Sequence, residues 1–218
     1  MSSRYTLVIG NKNYSSWSMR PWVWMRHHNI DFATHRIVLR VPATSAEIAD
    51  YGCGSTVPIL IDGDVKVWDS LAILEYLAEQ HPELMGWPEK SAARAHARSI
   101  CAEMHAGFVP LRSAMPMNCR RTIEGFTVSG DVQRDIDRIS RLFADCRKRY
   151  SGAGSFLFGN YSIADAMFTP VVMRFSTYGV TLDGEAANYL QSIRNQPAVQ
   201  EWIEDSIQEK EVIESDEL

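Results

Sequence analysis

The sequence predicts an α/β amino-terminal domain followed by an all-helical one, and three observations carry that expectation. Ser55–His81 reads as strand, turn, strand, helix. Val57–Ile61 and Val65–Trp68 are short β-branched runs, Asp62-Gly63 between them is a hairpin signal, and Leu71, Leu74 and Leu77 with Ile73 then keep helical spacing. Beyond His81–Pro88, a stretch with proline, glycine and a loose Trp87, strand signals fade and helical periodicity takes over. Val132–Tyr150 shows it best, with Val132, Ile136, Ile139, Phe143, Cys146 and Tyr150 on one face and charges between them.

In chain order, Tyr5–Ile9 reads as a first strand and Gly10–Ser18 as a polar loop rich in turn formers. Met19–Asn29 is expected to be helical, with Pro21 in the first turn and Trp22, Trp24 and Met25 supplying bulk. Thr34–Arg40 is expected to be a strand around Ile37-Val38-Leu39, and Ser45–Tyr51 one or two helical turns. With the hairpin and its helix the order is βαβ, α, ββα, a thioredoxin-like layout. Ligands bind such folds where the first βα loop meets the loop before the hairpin. Pro58, at the mouth of a strand, donates nothing to the ladder and leaves the Val57 backbone free for another partner. Asp69-Ser70 opens the next helix. Ser70 is expected to cap it, and its amides and dipole suit a carboxylate.

In the second half Ser91–Phe108 is alanine-rich, with Ile100, Met104 and Phe108 four apart. Ser162–Tyr178 is apolar nearly all round, as a central buried helix would be. It opens with Ser162 and Asp165 at capping-box spacing, and Pro170 is expected to kink it. Asn195–Ile207 reads as the last helix. The division expected is residues 1–81, a linker at 82–88, and residues 89–218.

Composition narrows the function. With 218 residues and 45% hydrophobic content the chain can bury a sizeable core. A net charge of -5 argues against a nucleic-acid binder, and no segment approaches a membrane span. Cys53, Cys101, Cys119 and Cys146 show neither CxxC nor metal spacing, so no metal and a reducing cytoplasm are expected. The first residues do not read as a signal peptide. The retention-like Ser215–Leu218 is then read as coincidence, and Glu209–Leu218 as a solvated acidic tail.

The proline-led hairpin with its acid-serine helix start resembles the glutathione-binding half of the glutathione transferase superfamily. The likeness continues through Phe156-Leu157-Phe158-Gly159, the Ser162 helix with its internal proline, and the Pro197-Ala198-Val199-Gln200 pattern of the last helix. Tyr14-Ser15-Ser16-Trp17-Ser18-Met19-Arg20 is similar to the zeta-like SSxSxR motif, with Trp17 where that motif has cysteine. The resemblance implies glutathione as cosubstrate, a small electrophilic second substrate, a homodimer and a detoxification role. It implies that Val57, beside a cis Pro58, pairs with the cysteinyl part of glutathione, and that Asp69 and Ser70 hold the γ-glutamyl end. Asp69 is one methylene shorter than the Glu or Gln found more often there.

Matching through Arg20 puts the active serine on Ser15, with Ser16, Ser18 and Tyr14 as the alternatives. The physical case is independent of the match. A free thiol with a pKa near 8.5 is mostly protonated at neutral pH, and a hydroxyl donor added to helix-start amides favours the anion. The sulfur is the nucleophile, and Ser15 holds it ionised. Arg40 is a candidate for the glycyl carboxylate or is only a surface group, and Lys12 and Arg20 add positive potential. His27, His28 and His105 read as solvated or core side chains, and Cys53 as a small loop residue. Met104, His105, Phe108, Leu111, Met115 and Met117, with Met167 and Arg174, mark the wall expected for the second substrate, although core is the simpler role for most. Activity is expected to be that of a glutathione transferase, with a zeta-type isomerase or a non-catalytic glutathione-binding protein as the alternatives.

Overall fold

A computed structural model describes residues 3–217, and it begins with a four-stranded mixed sheet in the order β2-β1-β3-β4. The strands are β1 (Tyr5–Ile9), β2 (Phe32–Arg36), β3 (Ile59–Asp62) and β4 (Val65–Trp68). β1 runs parallel to β2 and antiparallel to β3, and β3 is antiparallel to β4. Side chains alternate along β1. Tyr5, Leu7 and Ile9 join the main core with helices α1 (Ser16–His27) and α3 (Ser70–Gln80), while Val8 packs with Ile59, Ile37 and Ile48 of α2 (Thr44–Ala49) on the other face.

Among the described residues six α-helices follow: α4 (Ser91–Ala106), α5 (Val109–Ala114), α6 (Gly130–Tyr150), α7 (Ile163–Thr177), α8 (Gly184–Arg194) and α9 (Pro197–Gln208). Helix α7 is buried along almost its whole length, as its uniformly apolar sequence requires. Asp165 fixes its start by accepting from the Ser162 amide (2.9 Å), the Ser162 hydroxyl (3.0 Å) and the Leu157 amide (3.1 Å). The core is continuous across both halves: Met19, Trp22 and Trp24 of α1 share it with Phe168 of α7 and Trp202 of α9. Gly86 permits the close approach of the connecting stretch, since a Cβ there would lie 2.7 Å from that of Ala78.

Several expectations need correction. Helix α1 starts at Ser16, three residues before the expected Met19, so Pro21 lies in its interior rather than in the first turn. Strand β2 ends at Arg36. It is an exposed edge strand without an apolar alternation to mark it, and the ladder closes as the Ile37 amide bonds to the Ile9 carbonyl at 2.8 Å. The hairpin turn is Gly63-Asp64, because Asp62 still pairs with Val65. Helix α5 is too short to display a period. Helix α8 buries Ala186, Tyr189 and Ile193, a helical spacing the sequence does contain. Among the described residues no helix is long and apolar enough to cross a membrane.

Candidate active site at the start of the first helix

The loop between β1 and α1 is held by its own short polar side chains. The Asn11 carbonyl accepts from the Tyr14 and Ser15 amides (3.2 and 2.8 Å), and Asn11 Oδ1 accepts from the Leu39 amide (2.8 Å). Asn13 donates to Asn118 Oδ1 (3.0 Å) and accepts from the Arg120 amide (2.9 Å). This brings Ser15 to the N-cap of α1, yet its side chain bonds none of the helix amides. Its hydroxyl instead lies 2.7 Å from that of Ser18, which accepts from the Gly10 amide at 3.1 Å. The Ser16 amide bonds back to the Tyr14 carbonyl at 2.9 Å, and no side chain caps the helix start, with the positive end of the dipole behind it.

Ser15 opens on a cavity of about 510 Å³ between the sheet end and the helices. Tyr14, Ser15, Ser16, Trp17 and Arg40 line it, with Ser55, Thr56 and Val57 from the loop before the hairpin. The Val57-Pro58 bond is cis. Of the residues expected to hold glutathione, Ser15, Arg40 and Val57 line this cavity, whereas Pro58, Asp69 and Ser70 lie outside its wall. The serine alternatives also separate. Ser18 is fully buried behind Ser15, and Ser16 accepts from Arg174 Nη2 at 3.3 Å. The Tyr14 hydroxyl donates to Glu217 and accepts from Arg120 Nη2 (2.7 Å).

The start of α3 departs from expectation. Asp69, not Ser70, is the cap: its Oδ1 accepts from the Leu71 and Ala72 amides at 2.9 and 3.2 Å, with φ at +76°. A carboxylate is the stronger acceptor and reaches both amides from the N-cap position. Ser70 is the first helical residue, fully buried, and its hydroxyl accepts from Arg20 Nη1 at 3.1 Å. The other Asp69 oxygen lies 3.1 Å from His105 Nε2, and the His105 ring meets Trp17 edge-on at 5.2 Å. His105 therefore stands beside the site and not in the general core.

The far wall is more basic than expected. Of the methionine set only Met117 lines the cavity, together with Arg174; Met104, Leu111, Met115 and Met167 are buried in the core. Val109, Arg112, Ser113 and Pro116 complete that side. Trp17 lies between cations, 4.2 Å from the Arg20 guanidinium and 4.9 Å from that of Arg112. Burial and the charges of Arg112 and Arg174 push Arg20 down to about 9; burial and Arg112 push Arg174 to about 10. All three stay cationic at neutral pH. Lys12 does not add to this field, because its ammonium is buried against Asp205 and over the Trp22 ring at 3.9 Å. His27 stacks on Tyr161, and His28, pushed down to about 4 by burial, lies against Trp24.

The acidic end is not a solvated tail. Glu209 accepts from the Lys12 and Asn13 amides (2.7 and 3.1 Å), Ile213 is buried, and Ile213 and Asp216 line the cavity. Polar composition hid this; the signals present were an isolated Ile213 and the Arg120-Arg121 pair. Leu218, last of the expected tail, lies outside the described residues. Among the described residues no group of three or more His, Cys, Asp or Glu side chains could hold a metal ion.

Comparison with known proteins bears on the family and the fold. Residues 14–80 match the family described as "Glutathione S-transferase, N-terminal domain". The chain is 32% identical over 171 residues to a "Probable maleylacetoacetate isomerase" of Caenorhabditis elegans, covering 77% of this chain and 78% of that protein. Among solved structures it resembles a glutathione transferase homolog from Burkholderia gl BGR1 with bound glutathione (TM-score 0.68, 21% identity, 93% of this chain and 97% of that one). It also resembles the Tau class transferase of mango, Mangifera indica (TM-score 0.69, 20% identity, 93% and 94%). At these identities the two structures bear on the fold.

Proposed function

The chain belongs to the glutathione S-transferase superfamily, and from that premise we propose a glutathione-dependent enzyme that ionises the bound thiol at Ser15 and delivers it to a small electrophile. The observation that carries this reading is the start of α1. Ser15 occupies an N-cap without capping and lines the cavity, beside a helix start that no side chain caps. Lowering a thiol pKa by ~2 units there requires about 2.7 kcal/mol, within reach of one hydroxyl donor and a helix start. Val57 would pair with the cysteinyl backbone, Arg40 would meet the glycyl carboxylate, and Asp69 and Ser70 would hold the γ-glutamyl end just beyond the cavity wall. The sulfur then forms a bond to an electrophilic carbon, and the leaving group departs with the electron pair.

A second reading, a zeta-type isomerase, is favoured by Arg112 and Arg174. Two cations on the second-substrate wall suit an acidic unsaturated substrate to which the thiolate adds and from which it is later expelled. A homodimer is the assembly proposed, with exposed Val65 and Trp68 of β4 in its interface. Light scattering giving a single copy near 24.7 kDa at micromolar concentration would refute it.

The enzyme reading is tested by titration calorimetry with glutathione beside two assays, conjugation of an aromatic halide and isomerisation of a maleyl ketoacid. Conjugation supports the transferase, and isomerisation alone supports the second reading. Tight glutathione binding with neither activity would leave a binding protein of the same fold.

A further inference from the structure

After α9 the chain turns back across the loop that carries Ser15 and stays there for nine residues, Glu209–Glu217. Glu209 spreads its carboxylate over two loop amides, 2.7 Å from Lys12 N and 3.1 Å from Asn13 N, and its side chain is only 7% exposed. Glu217 accepts from the Tyr14 hydroxyl and from Asn118 Nδ2 at 2.9 Å. Arg120 reaches the Glu211 carbonyl (3.1 Å) and the Glu209 carbonyl, Arg121 the Glu217 carbonyl (2.7 Å), and Arg36 the Glu211 carboxylate (2.8 Å). Between these anchors Ile213 is buried and, with Asp216, faces the cavity. Three arginines grip the segment's acids and carbonyls, and its acids grip the Ser15 loop.

We propose that Glu209–Glu217 is a working part of the site: Glu209 and Glu217 are positioning residues for the Ser15 loop, and Ile213 is a specificity-determining residue of the second-substrate wall. This rests on the reading of the cavity as the place where a bound thiol meets its electrophile. The physical case for positioning is that Lys12 and Asn13 directly precede Tyr14 and Ser15. A loop amide bonded to a carboxylate holds its neighbours in register, and helix-start amides favour an anion only while that register lasts. The case for selectivity is steric. Ile213 is the one aliphatic side chain the segment presents to the cavity, so its volume limits the bulk of an electrophile there.

Charge and positioning predict opposite signs, which makes the proposal separable. Removing the Glu209 charge near a thiolate would by itself lower the thiol pKa. Losing the loop's register would raise it. The experiment uses the full-length chain with Glu209→Ala, Glu209→Gln, Glu217→Ala and Ile213→Ala. Amide hydrogen exchange over residues 10–15 is expected to quicken roughly tenfold or more in Glu209→Ala and Glu217→Ala, with exchange in α6 unchanged. Glu209→Gln, which keeps one acceptor oxygen, should recover most of the protection.

The pKa of bound glutathione, read from thiolate absorbance across pH, should rise in Glu209→Ala and not in Glu209→Gln. Ile213→Ala should shift the ratio of kcat/KM between a bulky and a compact aromatic halide by roughly three- to tenfold towards the bulky one, without moving the pH profile. Unchanged exchange over residues 10–15 in both alanine variants overturns the positioning role, and an unchanged halide ratio overturns that of Ile213. If the wild-type chain binds no glutathione, the enzyme reading fails, while hydrogen exchange still decides whether Glu209–Glu217 acts as a strap over the Ser15 loop.

Discussion

The Arg20 guanidinium, inside α1, donates to the Ser70 hydroxyl at the start of α3 at 3.1 Å, across fifty residues of sequence, and both groups are buried. Among the described residues no carboxylate bonds to Arg20 and its Nε has no partner; burial first, then the charges of Arg112 and Arg174, push it down to about 9. A buried cation without an anion is costly unless an anion arrives. Arg20→Met, of similar length without charge, is expected to leave Tm unchanged or raise it, by an amount of order 1–4 kcal/mol in stability. Glutathione affinity should fall roughly tenfold. A loss of Tm together with unchanged affinity would make Arg20 a purely structural group.

Ser15 is separated from its neighbours by what each hydroxyl already holds. Ser15→Ala should barely change glutathione affinity, raise the apparent pKa of the bound thiol by about one or two units, and slow turnover at neutral pH roughly ten- to a hundredfold, with recovery at high pH. Ser18→Ala should give a smaller shift, because Ser18 reaches the cavity only through Ser15 at 2.7 Å. Ser16→Ala and Tyr14→Phe should act on Arg174 and on the strap respectively. A pKa shift in Ser16→Ala or Tyr14→Phe that is absent in Ser15→Ala would move the assignment to that residue.

Local chemistry decided what was legible in the sequence. The hairpin, α6, α7 and α9 could be read because a local signal marks each: Ile136, Ile139 and Phe143 are apolar at the spacing at which α6 is buried, and α7 is apolar and buried nearly all round. The first turn of α1 could not, since Ser15-Ser16-Trp17-Ser18 is loop-like by composition and becomes helical where Ser18 bonds back to Gly10. Val57, Ser15 and Arg40 were found from motif and position, and all three line the cavity. Arg112 lies on a helix of six residues with no period to display, and Ile213 lies among acids. Their roles depend on contacts 60 to 200 residues distant in sequence, which no local window contains: Arg112 with Arg174 and, for the segment that carries Ile213, Glu209 with Lys12.

The strap should respond to acid. Hydrogen bonds from Arg36 hold Glu211 below the ordinary 4.5, and for Glu217, where burial alone would raise it, bonds from Tyr14 and Asn118 and the charge of Arg121 bring it below 4.5 as well. A carboxylate depressed in the folded state contributes stability above its unfolded pKa and loses it as pH falls through the folded value. Docking should therefore be complete at neutral pH and weaken progressively as pH falls below about 4.5. In a melting series between about pH 6 and pH 3 the wild-type Tm should fall more steeply than that of the Glu211→Gln, Glu217→Gln double variant. Parallel slopes would mean that these two acids do not hold the strap.

The last prediction distinguishes substrates by charge. Arg112 is half-buried on the cavity wall, with its guanidinium over Trp17 at 4.9 Å and one bond to the Gly107 carbonyl at 3.2 Å. Arg174 is tied down more firmly, to the Met115 and Arg112 carbonyls and to Ser16, so replacing it would disturb the wall itself. Arg112 is therefore the better probe. Burial pushes its pKa down, which marks partial desolvation, and a desolvated cation gains more from an incoming carboxylate than a solvated one does. Arg112→Gln should lower kcat/KM for an unsaturated dicarboxylic acid by roughly tenfold and for a neutral aromatic halide by less than about twofold. Added salt should narrow that gap in the wild type and leave the variant nearly insensitive. Equal losses on both substrates would mean that Arg112 shapes the wall around Trp17 without reading charge, and the acidic-substrate reading would then rest on Arg174 alone.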